Sequence, residues 1–200
     1  CEAIGKGGKP SCKDLENRQA HDPNELAGPE GDLVPGQWIT YTIFYENTGV
    51  GTAYGVYELT RRIGVSPWYW WADVTPARRE ALYVSPERLQ IGPPAVKYRG
   101  IFINDEMWGI RPWAAEHFAP DEGLGLGPKT YAKIFELMLR LRANYLWPAM
   151  HQGTTPFNSY PQNKVVADDY AIVMGSSHIE PMLRNNIAGA EWDREDGGEW

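Results

Sequence analysis

The stretch Tyr98–Trp113, YRGIFINDEMWGIRPW, sets an amide and two adjacent carboxylates, Asn104, Asp105 and Glu106, directly behind a short apolar run. Two tryptophans, Trp108 and Trp113, follow. Carboxylates can act as acid, base or hydroxyl-binding group, and aromatic rings beside them suit the apolar face of a sugar. The pattern points to one edge of a glycan-processing site. Glycoside hydrolysis commonly uses two carboxyl groups that flank the scissile bond. Asp105 and Glu106 are neighbours and would point to opposite sides of a regular strand. They are therefore not expected to form that pair, although either can supply one member or bind a hydroxyl.

Two further groups repeat the arrangement. Tyr145-Leu146-Trp147-Pro148-Ala149-Met150 runs into His151, and Ala171–Met174 runs into Gly175-Ser176-Ser177-His178 and then Glu180. Trp147 would line a sugar site or pack in the core. His151 and His178 would bind sugar hydroxyls or sit as satisfied buried histidines. Neither belongs to an HxxxH or HxH spacing, so neither is expected to ligate a metal. Glu180 precedes Pro181 and also suits a helix start. Arg111 could meet a carboxylate ligand but reads more simply as a surface arginine. Asp168 and Asp169 read as a solvated turn.

The elements that must hold these groups follow from periodicity. Gly100–Ile103 has strand length and composition. A helix is expected from Thr130 to about Ala143, with Ile134, Leu137, Met138 and Leu141 as its apolar stripe. Strands are expected at Tyr145–Met150 and Ala171–Met174, with a helical or irregular link between them and a last helix opening at Pro181. The order is a βαβ series, which calls for a parallel sheet. Polar groups recurring at the same end of successive strands match the active face of a (β/α) barrel. Upstream, Trp38–Tyr45 alternates as a strand, and Thr52–Arg62 reads as a helix stopped at Gly64. Ser66–Trp71 is an aromatic run, expected to be mostly buried. Residues 77–97 read as a link with strand character at Ala81–Val84, and the loop through Gly123, Gly125 and Gly127 as irregular. Residues 1–36 are turn-rich and without periodicity.

Composition narrows the function further. Nine tryptophans and eleven tyrosines in 200 residues fit a dense core or a ring-stacking surface. The net charge of −7 argues against nucleic acid or an anionic membrane as partner. No apolar run approaches the roughly 18 residues of a membrane span. Cys1 and Cys12 could close a small loop in an oxidising compartment or remain free thiols.

Four segments, GTAYGVYELTRRIGVSPWYWWADV, YRGIFINDEMWGIRPWA, GPKTYAKIFELMLRLRANYLWPAMH and VADDYAIVMGSSHIEPMLRNN, resemble glycoside hydrolase family 115, the xylan α-1,2-glucuronidases. Together they cover most of residues 51–200 in order. The resemblance implies an α/β protein in which 51–96 are the end of an N-terminal α/β domain and 97–200 the first part of a (β/α)8 catalytic barrel. Residues 1–50 depart from that family and form a Gly/Pro-rich segment whose strand resembles a bacterial surface β-sandwich repeat instead. The family resemblance implies release of glucuronic acid or its 4-O-methyl form from glucuronoxylan or xylo-oligosaccharides by inverting hydrolysis, without a cofactor. Secretion or a periplasmic location is implied as well. Among the candidates it favours Asp105 as catalytic carboxylate beside Glu106, with Asn104, Trp108, Trp147, His151, His178 and Glu180 binding substrate. About three barrel strands cannot close a barrel, so the 200 residues alone are expected to be marginally ordered and inactive. The competing reading is a non-enzymatic extracellular β-repeat or carbohydrate-binding module.

Overall fold

The computed structural model describes residues 24–27, 42–44, 49–84, 89–104, 106–148 and 155–176. Most of the Trp38–Tyr45 strand, Ala149–Met150 and the helix expected at Pro181 lie outside them. The described residues form two three-stranded sheets. In the first, β1 (Asn24–Ala27) lies between β2 (Thr42–Phe44) and β3 (Leu89–Ile91), antiparallel to both. The second consists of β4 (Gly100–Ile103), β5 (Tyr145–Pro148) and β6 (Val173–Met174), in that order and all parallel.

Parallel neighbours need crossovers, and helices supply them. After β4 come α2 (Ile110–Trp113), a π turn over Ala114–Phe118 closed by Ala119 N–H to Ala114 O at 2.7 Å, and a 3-10 turn at Pro120–Glu122. Short helical turns thus occupy much of the expected irregular loop. Then α3 (Pro128–Arg140) leads to β5, and α4 (Pro161–Asp169) leads to β6. Asp168 and Asp169 close α4 as exposed residues.

α3 starts at Pro128, whose missing N–H costs nothing at that position. The next orphan donors are met from outside the helix. Glu122 accepts from Lys129 N–H at 2.7 Å and from the Thr130 hydroxyl at 3.3 Å. A Cβ on Gly127 would collide with that carboxylate, so glycine is what lets it approach. The buried residues are Thr130, Tyr131, Ile134, Phe135, Met138 and Leu139. The stripe is thus rotated from the expected one. Leu141 lies beyond the last turn and is exposed, and Leu137 is only half-buried. α3 packs on α1 (Gly49–Arg62) and α4 as well as on the sheet, which widens its apolar face.

The core joins α3 to Leu146 of β5, Phe157, Ala167 of α4 and Ile172. Each large side chain removed from water here contributes roughly 1.5–3 kcal/mol. The aromatic run Trp68–Trp71 is a turn rather than a strand. Tyr69 donates to Glu136 at 2.9 Å, and Trp71 Nε1 donates to Lys133 O at 3.1 Å, so the turn is fastened to α3 and half-buried. Ala81–Val84 joins neither sheet among the described residues, and Tyr83 is 74% exposed. With no face to bury, the segment stays outside a sheet, and the strand forms later, at Leu89–Ile91.

The helix α1 (Gly49–Arg62) carries Glu58, which is 6% exposed and meets Arg61 at 2.6 Å, Arg62 at 3.2 Å and Arg142 at 2.9 Å. Burial works to raise its pKa, but hydrogen bonds from Arg61, Arg62 and Arg142 outweigh that and hold it at about 2 rather than 4.5. A depressed carboxylate pKa stabilises the fold fully above its unfolded value and loses that contribution as the pH falls through the folded value. Glu58→Gln is expected to cost about 2 kcal/mol at pH 7, allowing for the solvent that reaches the arginines. In urea titrations the deficit should shrink between pH 4.5 and 2; a deficit of equal size at pH 2 would assign it to packing instead.

Candidate active site

Both ends of β4 and β5 are built differently. At their amino ends Arg99 and Asn144 interlock. Arg99 N–H donates to Asn144 Oδ1 at 2.9 Å, and the N–H groups of Asn144 and Tyr145 donate to Arg99 O at 2.8 and 3.1 Å. The Arg99 guanidinium reaches Arg142 O at 2.7 Å and the Tyr54 hydroxyl at 3.1 Å. Every polar group there serves the scaffold. The carboxyl ends carry the candidate residues instead.

Ile103 pairs with Pro148, so Asn104 leaves the sheet beside the point where β5 ends. Asn104 is exposed and Glu106 half-buried, and Asp105 between them lies outside the described residues. Gly109 N–H returns to Glu106 O at 3.3 Å, closing a turn that holds Trp108 out in solvent at 84% exposure. An indole so exposed contributes little to the core, which leaves its ring faces free for a ligand.

Register puts Trp147 opposite Phe102 and Val173 opposite Tyr145. Partners in a parallel pair share a face, and the buried Leu146 and Pro148 occupy the other, toward the helices. Phe102 (44%), Trp147 (40%) and Val173 (42%) therefore line the sheet face away from α3 and α4. Tyr145 and Trp147 meet edge to face at 5.0 Å. Beneath them runs Gly175, whose N–H donates to Leu146 O at 2.7 Å. A Cβ there would lie 2.6 Å from Trp147 Nε1 and against the Tyr145 hydroxyl.

The structure thus sets Asn104 and Trp147 at neighbouring strand ends, with Glu106 and Trp108 in the turn that follows β4. His151, His178 and Glu180 lie outside the described residues. Gly175 and Ser176 follow β6 at this end, and the Tyr145 ring, from the amino end of β5, lies against Trp147; none of the three was singled out in the sequence. The strand alternation that placed Trp147 also marks Tyr145, two residues before it. Arg111 is half-buried, and its Nε donates to Leu124 O, so it braces the loop.

The family model for glycosyl hydrolase family 115 matches residues 91–200, more than half of the chain and the whole of the parallel sheet. The chain belongs to glycosyl hydrolase family 115. Eleven chains of solved structures match it. One, described as a novel family GH115 4-O-methyl-α-glucuronidase with specificity for decorated arabinogalactans, is 45% identical at a TM-score of 0.68. The match covers 85% of this chain and 21% of that one, so the present chain spans about a fifth of that relative's length. No protein of curated function matches significantly in sequence. Within this family 115 chain, the crowding at Gly175 is the steric constraint that sets the Trp147 ring. Gly175→Ala should displace the indole, cost about 1–3 kcal/mol in thermal unfolding and alter the near-ultraviolet circular dichroism; an unchanged spectrum and melt would mean that the ring is not held there.

Proposed function

We propose that the chain supplies three consecutive strands of a (β/α)8 barrel, in a hydrolase that removes (4-O-methyl)glucuronic acid from a decorated polysaccharide by inversion. Family membership supports the reaction class. The observation that carries the site is the parallel β4-β5-β6 sheet, whose carboxyl ends converge on Asn104 and Trp147 while its amino ends are spent on structure. Active sites of such barrels lie at the carboxyl ends of the strands. On this reading the exposed face of Phe102, Trp147 and Val173 is barrel interior.

In the proposed reaction a carboxylic acid protonates the glycosidic oxygen. A second carboxylate takes a proton from water, which attacks the anomeric carbon from the opposite side, so an α-linked uronic acid leaves in the β configuration. Asp105 is proposed as one of these carboxylates and Glu106 as its neighbour in hydroxyl contact. Asn104, His151, His178 and Glu180 would bind sugar hydroxyls, with Trp108 and Trp147 against ring faces. A polymeric substrate fits a secreted or periplasmic protein. Glucuronoxylan is the first substrate to test. A decorated arabinogalactan is the second, favoured by the specificity named for the relative at 45% identity.

Proton magnetic resonance of the products that the complete hydrolase, with all its barrel strands, releases from both polymers tests the reading. The β anomer of the free uronic acid should appear first, and Asp105→Ala should lower turnover by about 10²–10⁴. Initial α anomer would reject inversion, and no release from either polymer would reject the function.

A further inference from the structure

Away from the strand ends, the aromatic turn and the start of α2 enclose an open cleft of about 680 Å3. Its walls include Tyr69, Trp70, Trp71 and Trp113, with Asp73 and Thr75 on the same segment as the first three. The volume falls within the usual range for small-molecule sites. We propose that this cleft is a second glycan-binding site, taking uncharged pyranose units of a polysaccharide main chain.

The rings are held in place by the protein before any ligand arrives. Trp70 meets Trp71, Trp113 and Phe118 edge to face at 4.8, 5.6 and 4.9 Å, and Phe118 stacks on Trp113 at 5.6 Å. The Tyr69 hydroxyl and Trp71 N–H are already used on α3, at Glu136 and Lys133 O. A core made only of these rings would close over them, yet here they bound an open space. The second observation is Asp73. It is exposed and adopts φ 52°, a left-handed conformation that non-glycine residues adopt at a cost, while Thr75 N–H bonds to its carbonyl at 2.9 Å. Such a turn presents a carboxylate and a hydroxyl beside ring faces, the two kinds of contact a pyranose needs.

Charge selects among ligands. Asp73 is the one carboxylate among the described lining residues, and it would repel a uronate or phosphate. Lys133, the cation over the Trp70 ring, is paired with Glu136 at 2.9 Å. Its Nζ already lies 5.5 Å from the Trp70 ring centre, so a ligand cation would meet like charge there. A neutral sugar meets neither objection. The cleft also adjoins Gly109 and Ile110, directly after Trp108, so one polysaccharide could engage both sites.

The inference rests on the proposed function only for the choice of sugars. Calorimetric titration of the full chain with xylohexaose, galactohexaose and tetramethylammonium tests it. One hexaose should bind, and Asp73→Asn should weaken it about tenfold, the loss of one charge-assisted hydrogen bond. Asparagine tolerates the positive φ, so the near-ultraviolet spectrum should be unchanged. Trp70→Phe, which keeps an aromatic core but narrows the platform, should weaken it too. Failure of both hexaoses to bind overturns the proposal. So does affinity indifferent to both variants, or displacement of the sugar by tetramethylammonium. Uronic acid release without any Asp73 effect would leave the hydrolase reading intact and remove the cleft. Binding dependent on Asp73 without release would do the reverse.

Discussion

Close approach of β4 and β5 is the constraint on which the parallel sheet depends. A Cβ at Gly100 would fall on the Tyr145 carbonyl and side chain, so the first pair of the ladder, Gly100 with Tyr145, forms only because nothing projects there. Once that pair is made, Phe102 must face Trp147 and Ile103 must face Pro148. A shift of one residue would turn every side chain to the wrong face. Leu146 would leave the core built around Phe135 and Met138, and Trp147 would enter it. Arg99 and Asn144 lock the same register from outside the ladder. The place where the two chains leave the sheet, and hence the meeting of Asn104 with β5, is set four residues earlier.

Polar networks secure the layers around this sheet. Glu58 draws in Arg142, which follows α3, and Arg140 of α3 reaches Thr60 of α1 at 3.1 Å. Arg140 also lies over the rings of Tyr57 and Tyr69, 4.5 and 4.9 Å from their centres. Guanidinium groups suit this position because they can bond in their plane and stack on their faces. The aromatic turn, α1 and α3 thus share one row of charges, while the apolar core lies on the opposite side of α3.

Sequence reading found the GIFI run from its length and its β-branched and aromatic content, although Ile101 and Phe102 stay exposed. It found the helix before Ala143 from its period, because Ile134 and Met138 are buried. It erred where burial has another cause. Tyr131, Phe135 and Leu139 are buried because α3 is covered on several sides, which a single-stripe reading underestimates. α4 hides behind a polar sequence, PQNKVVADD, since one of its two buried residues is Asn163, whose amide donates to Leu126 O and Phe157 O at 3.1 and 2.8 Å. An asparagine used as a clasp leaves no hydrophobic period to detect. The placement of Asn104 and Trp147 at neighbouring strand ends was legible because strand ends project whatever follows them. Gly175 was not, since its role appears only when Trp147 lies over it.

Glu122 caps α3 from seven and eight residues upstream, from within the same connection that carries Glu106 and Trp108. The loop and the helix are therefore not separate modules. Anyone exchanging the connection after β4 to alter specificity would also remove the acceptor for the first turn of α3, the helix that supplies more of the core than any other described element. A transferable insert has to run through Gly127, keeping both the carboxylate and the glycine that admits it.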